Sequence, residues 1–170
     1  MPFDTARYRI RPATADDVHV IARHRAAMFR DMGTLPAVDV EPLAAASLRH
    51  LRDALASGDY LGWLVETDGV VVAGAGVLMR TLLPRPGYLE GGIDAYVLNV
   101  YTEPGHRRRG LAQALMEAVL AHCRAEGVVR VTLHASDEGR PLYSALGFTA
   151  TSKMERSIER TGARRSMVLR

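Results

Sequence analysis

One cysteine, Cys123, and one lysine, Lys153, are all that this chain of 170 residues has of either type. A single thiol closes no internal disulfide and anchors no cysteine-built zinc cage, and it fits a reducing, cytoplasmic setting. There is no run of about 18 apolar residues, so no membrane span is expected. Residues 1–12 lack the apolar core of a secretory signal. The sequence has no Gly-x-x-x-x-Gly-Lys-Ser/Thr, no Gly-x-Ser-x-Gly and no His-Glu-x-x-His. Those absences exclude a nucleoside-triphosphate loop, a nucleophile-elbow hydrolase and a histidine-built metal site. Gly74-Ala75-Gly76 lacks the third glycine of a dinucleotide fingerprint and lies inside an apolar run.

Lysine is scarce because nearly every basic residue is arginine, and that bias carries no functional reading. The net charge is only +3 and its arginines are scattered, with clusters at 107–109 and 164–165. No aromatic-interleaved basic strand accompanies them, so nucleic acid is not an expected partner. A mildly basic chain does suit a small polyanionic cofactor. Hydrophobic content of 48% and charged content of 24% belong to a globular protein, and 170 residues make one domain, 1–170, with a single sizeable core.

Periodicity supplies the element order. Tyr8 to Arg11 alternates as a short strand, and Thr14-x-x-Asp17 resembles a capping box. Val18, Ile21, Ala22, Met28, Phe29 and Met32 then recur at helical spacing up to Gly33. A second helix carries Leu43, Ser47, Leu48, Leu51 and Leu55 and ends at Gly58. Strands at Tyr60–Glu66 and Val70–Leu83 flank Asp68-Gly69, a hairpin turn. After a loop at 84–92, Ile93 to Thr102 is a strand, 110–127 a helix, and Val128 to His134 a buried strand. A short helix begins near Asp137 with Pro141 in its first turn and Gly147 as its cap. Phe148 to Arg170 reads as one or two further strands. Strands alternating with helices in this order are α/β with a mixed sheet.

The most informative stretch is Tyr96 to Met116. An apolar strand stops at Pro104, Arg107, Arg108 and Arg109 follow, and Gly110 opens an amphipathic helix. The first turn of a helix has backbone N–H groups without partners and the positive end of the macrodipole. Gly110 and Ala112 would let a bulky phosphate reach that backbone, with the arginines supplying charge. A second segment reads Leu142-Tyr143-Ser144-Ala145-Leu146-Gly147-Phe148.

Arg107-x-x-Gly110-x-Ala112, between a strand and a helix, resembles the pyrophosphate loop of the GNAT superfamily of acyl-CoA-dependent N-acyltransferases. Leu142 to Phe148 is similar to that family's Leu-Tyr-x-x-x-Gly-Phe segment. The resemblance implies a mixed, mostly antiparallel sheet of six to seven strands flanked by about four helices, and acetyl-CoA as the cofactor. It implies that Arg107, Arg108, Arg109, Gly110, Leu111 and Ala112 hold the pyrophosphate. It further implies that the backbone of Val100, Tyr101 and Thr102 pairs with the pantetheine and that Tyr143 protonates the leaving thiolate. The Asn that many members carry before the tyrosine helix is missing here, and Ser136 either replaces it or caps the helix.

An amine acceptor needs a base. Asp94 is the leading choice, sharing a strand face with Tyr96 by period two, ahead of Glu90 and Glu103. By the resemblance the loops 33–42 and 84–92 wall the acceptor site, with Met28, Phe29 and Met32 as lining. Asp31, Asp39, Glu41 and Glu90 would draw in a cationic amine where they face the cleft: a small amine, an amino acid or a peptide N-terminus. A homodimer is also implied. The alternative from another class is a catalytically silent acyl-CoA-binding module of the same fold.

Overall fold

The computed structural model describes residues 3–157. One sheet contains β1 (Arg9–Pro12), β2 (Tyr60–Thr67), β3 (Val70–Leu82), β4 (Gly92–Thr102) and β5 (Arg130–Leu133), adjacent in chain order. The first four pair antiparallel and β5 joins β4 in parallel. Four α-helices accompany them: α1 (Val18–Asp31), α2 (Val40–Ser57), α3 (Leu111–Ala125) and α4 (Arg140–Ala145).

The mixed, mostly antiparallel sheet and four helices match the expectation, but the strand count does not. Five strands stand among the described residues where six to seven were expected. The shortfall falls after Phe148. Residues 149–157 are exposed and pair with no strand, and 158–170 lie outside the described residues. Ser152-Lys153-Met154-Glu155-Arg156 offers no alternating apolar face, so ordering it as a core strand would bury nothing to offset the backbone entropy.

The helices cover opposite faces of the sheet. Val18, Ile21 and Ala22 of α1 pack with Leu51 of α2 against Tyr60 and Leu64. Leu111, Leu115, Met116, Val119 and Cys123 of α3 pack against Val65, Val77, Ala95 and Val97. Leu64 and Val65 are neighbours in β2 and point to opposite faces, so the two clusters lie on either side. Leu115, Met116 and Val119 are fully buried, each contributing about 1.5–3 kcal/mol of transfer free energy. Cys123 serves α3 as a small buried hydrophobe, and burial raises its thiol pKa.

At the start of α1, the Asp17 carboxylate accepts from the Thr14 amide at 2.7 Å, as the capping-box spacing suggests. Arg11 grips the same carboxylate with two hydrogen bonds of 2.8 Å. Those bonds hold the Asp17 carboxyl down to about 2.

Two irregularities of β4 make room for a site. Gly76 and Gly74 of β3 face Leu98 and Tyr101, so β4 carries one extra residue there, a bulge at Asn99 with φ 56°. The parallel pairing with β5 also ends at Val97↔Leu133, while β4 runs on to Thr102. From Leu98 onward, β4 therefore has a backbone edge that β5 does not use.

Candidate functional site

The unused edge opens into a cleft of about 1110 Å³. One wall comes from α1 (Arg25, Met28, Phe29, Asp31, Met32), the floor from Tyr96 to Thr102, and the other wall from the turn before α3 and from residues 133–143.

The phosphate-sized end is built by backbone. Gly110 is the N-cap of α3 with φ 77°, a left-handed conformation that explains glycine there. Ala114 makes the first hydrogen bond of the helix, to the Gly110 carbonyl at 3.0 Å. The preceding amides of Leu111, Ala112 and Gln113 sit at the positive end of the helix dipole. Arg107 and Arg108 line the cleft beside them. Arg108 has no ion-pair partner among the described residues, whereas Arg107 is held in place. Its Nε donates to the Thr102 carbonyl at 3.0 Å and its Nη2 pairs with Asp31, while the guanidinium lies over Tyr101, 5.7 Å from the ring centroid. Burial opposes charge on Asp31, but hydrogen bonds from Arg30 and Arg107 outweigh it and hold that carboxyl below its ordinary range. Arg109 turns back to the Gly105 carbonyl at 3.3 Å and does not line the cleft.

Tyr143 stands on the α4 side of the cleft. Its ring meets Phe148 edge-on, with centroids 6.0 Å apart, and burial pushes its phenol pKa up, so it keeps its proton at neutral pH. Gly139 makes this placement possible, because a Cβ there would stand 2.9 Å from Tyr143 Cε2. Ser136 lines the cleft and its Oγ accepts from the Gly139 amide at 3.1 Å. Ser136 thus caps the turn before α4 while lining the cleft.

Val100, Tyr101, Thr102, Leu111, Ala112, Met28, Phe29, Met32 and Tyr96 all line the cleft. Asp94 does not. It is buried, its Oδ1 accepts from Arg130 Nε at 2.7 Å, and its other oxygen accepts from Arg80. Its carboxylate is committed to two guanidinium groups and lies outside the cleft lining, so the geometry speaks against the general-base expectation and makes Asp94 a tie between β3, β4 and β5. Neither the 33–42 loop nor the 84–92 loop contributes lining, and Asp31 is already neutralised by Arg30 and Arg107.

Three residues of the cleft escaped the sequence reading. The Tyr96 hydroxyl lies 2.7 Å from His134 Nδ1 at the end of β5. The ring's other nitrogen faces Glu155 at 3.6 Å and Lys153 at 3.3 Å. Asn99 is buried in the bulge, where its Oδ1 accepts from Arg25 Nη1 at 2.7 Å and its Nδ2 donates to the Tyr60 hydroxyl at 3.3 Å. Signals for them existed: an Asn inside the apolar run Tyr-Val-Leu-Asn-Val-Tyr, a His closing a buried strand, and an Arg four residues before Phe29.

A family model described as the acetyltransferase (GNAT) family matches residues 26–148. The chain is 30% identical over 120 residues to glucosamine 6-phosphate N-acetyltransferase of Trypanosoma brucei brucei, covering 69% of this chain and 79% of that one. A GCN5-related N-acetyltransferase from Ralstonia eutropha JMP134 superposes with a TM-score of 0.80 at 35% identity, over 89% of this chain and 98% of its own. A protein described as a predicted acetyltransferase from Clostridium acetobutylicum, crystallised with acetyl-CoA, shares the fold with a TM-score of 0.79 at 24% identity, over 89% of this chain and 96% of its own. A match that takes in the arginine turn, the bulged strand and the tyrosine helix together makes this chain a member of the GNAT acetyltransferase family.

Proposed function

We propose that the chain is an acetyl-CoA-dependent N-acetyltransferase, moving an acetyl group to a primary amine of a small molecule or peptide by direct attack in a ternary complex. The observation that carries this reading is the continuity of one cleft, from the free amides and arginines at the start of α3, along the unpaired edge of β4, to Tyr143. The donor set fits the cofactor. N–H groups at a helix start and two guanidinium groups suit a diphosphate, and a strand edge without a partner suits a chain of amides. Acetyl-CoA supplies the activated acyl group as a thioester.

The chain's own residues do the rest. Leu111, Ala112, Gln113, Arg107 and Arg108 hold the phosphates, and Val100, Tyr101 and Thr102 align the pantetheine. An N–H group at the bulge would donate to an acyl oxygen. A new N–C bond replaces the C–S bond, and the sulfur leaves with the proton of Tyr143. The amine's surplus proton passes to His134 through Tyr96. For Nδ1 to take the Tyr96 proton, Nε2 must carry the hydrogen and turn it to Glu155, 3.6 Å away, in place of accepting from Lys153 at 3.3 Å.

The test is free-thiol release from acetyl-CoA across a panel of amines, with wild type and His134→Gln. Turnover is expected, falling steeply for the variant at neutral pH and recovering as rising pH deprotonates the amine unaided. Cofactor binding without thiol release from any amine would leave a silent acyl-CoA-binding module.

A further inference from the structure

Arg25 is the one arginine of the cleft's α1 wall without a carboxylate partner among the described residues. Other arginines around it each touch a carboxylate: Arg23 lies 3.7 Å from Glu103, Arg30 and Arg107 share Asp31, and Arg80 and Arg130 share Asp94. Arg25 is half-buried, rests 5.0 Å from the centroid of Phe29, and donates 2.7 Å to the neutral Asn99 amide. A guanidinium has five N–H donors in a fixed fork, so most of its donors remain for something else. A partly desolvated cation facing neutral partners is costly unless an anion comes to it.

The chain that aims Arg25 is itself built. Asn99 adopts a left-handed conformation in the bulge and is tied to the buried Tyr60 hydroxyl. That hydroxyl reaches Asn99 only because residue 76 is glycine, where a Cβ would stand 2.0 Å from it. Burial raises the Tyr60 phenol to about 12, so the chain Tyr60–Asn99–Arg25 keeps its single positive charge at neutral pH.

The place of Arg25 separates it from the cofactor's phosphates. Arg107 meets α1 at Asp31, and Arg25 lies six residues earlier in the same helix, about 9 Å along its axis. On β4 the same step leads from Thr102, which holds Arg107, back to Asn99. Arg25 therefore stands between the phosphate end and the Tyr96–His134 pair, on the face of the sheet that α1 and α2 cover. The other carboxylates that line the cleft, Asp137, which pairs with Arg140 at 3.5 Å, and Glu138, are on the opposite wall before α4.

We infer that Arg25 selects the acceptor: the amine this protein acetylates carries an oxyanion, a carboxylate or a phosphate, which the Arg25 fork binds while the amine faces Tyr96. This rests on the acetyltransfer reading above and adds an anion requirement to the cationic amine expected from the acidic side chains. A carboxylated acyl chain on the cofactor is the rival occupant.

Thiol release is measured for matched pairs, with glycine against glycinamide for the carboxylate arm and phosphoethanolamine against ethanolamine for the phosphate arm. Wild type is expected to favour the charged member of at least one pair by about 10- to 100-fold in kcat/KM, mostly through KM, as charge-assisted hydrogen bonds allow. Arg25→Gln removes the preference. Asn99→Asp does so without deleting the cation, because a carboxylate in the bulge neutralises Arg25 from within, and Asp tolerates the left-handed backbone. Both variants keep the melting shift given by acetyl-CoA. Equal or better turnover of the neutral members in wild type overturns the inference while leaving the acetyltransferase reading intact. So does a preference that survives both substitutions, or an effect of Arg25→Gln confined to succinyl-CoA as donor. Cofactor binding with no thiol release from any amine removes both.

Discussion

The two ends of the cleft are made differently. At the phosphate end, recognition comes from nearly consecutive residues, with Gly110 forced into a left-handed cap, the first amides of α3, and arginines two and three positions before the glycine. At the other end it comes from Arg25 on α1, Tyr96 and Asn99 on β4, His134 beyond β5 and Tyr143 on α4, brought together only by the sheet and its bulge. A backbone site tolerates little change and says little about what else is bound. A side-chain site can be rewritten residue by residue, and it is where selectivity resides.

The contrast breaks most visibly at Gly110. Gly110→Asp places a side chain in the left-handed cap and a negative charge among the phosphate donors. It is expected to abolish the melting shift given by acetyl-CoA while far-ultraviolet circular dichroism stays native. An unchanged shift would move the phosphates elsewhere. At the far end, Tyr143→Phe removes one hydroxyl and no packing. Turnover should fall about 100-fold, with the KM for acetyl-CoA nearly unchanged. Undiminished turnover in a folded variant would make Tyr143 a packing residue with a hydroxyl that water replaces.

These two effects track what the sequence made legible. The arginine turn and the tyrosine helix were readable because each is a local pattern whose physics is complete within a dozen residues. The element order was readable because Val18, Ile21 and Ala22, or Leu111, Leu115 and Val119, recur at the helical period whatever they pack against. Asp94 misled because period two gives the face of a strand and not its cross-strand neighbours. Arg80 and Arg130 arrive from β3 and β5 at Asp94↔Arg80 and Asp94↔Arg130, pairings no local pattern announces. The bulge likewise depends on a register shift against Gly74 and Gly76. In the Gly74-Ala75-Gly76 run, discarded as a nucleotide fingerprint, Gly76 turns out to be the clearance for Tyr60.

Asp94→Asn sharpens the comparison from the structural side. It leaves two guanidinium groups facing a neutral amide, at about 1–3 kcal/mol given that both arginines are partly solvated. A melting point lower by about 2–10 °C, with kcat within a few-fold of wild type, is expected. A large loss of kcat at unchanged melting temperature would restore Asp94 as the base.

The smallest effect is expected under α1, away from both ends. His24 is 2% exposed, and both ring nitrogens lack a hydrogen-bond partner among the described residues. Glu103 lies 3.3 Å from Nε2, but off the direction of a hydrogen bond. Burial drives the His24 pKa down to about 4, against the pull of Glu103. The unfolded chain takes up this proton near pH 6.5 and the folded chain only near pH 4. The stability it contributes is therefore complete above pH 6.5 and is lost as pH falls through that window, by roughly 3 kcal/mol at most. Melting followed from pH 7 to 5 should show this slope in wild type and a shallower one in His24→Gln. Parallel slopes would assign the acid sensitivity to other groups.

The central claim is that a coenzyme A thioester occupies this cleft with its phosphates at the start of α3. Thermal melting with acetyl-CoA tests it most directly, with adenosine 3′,5′-bisphosphate, pantetheine and ATP as controls. A ligand present at 100 times its dissociation constant and bound only by the folded state adds about 2.7 kcal/mol. The account predicts a clear upward shift with acetyl-CoA that none of the three controls reproduces. No shift with any acyl-CoA at saturating concentration would contradict it and leave Arg107 and Arg108 an ordinary charged turn.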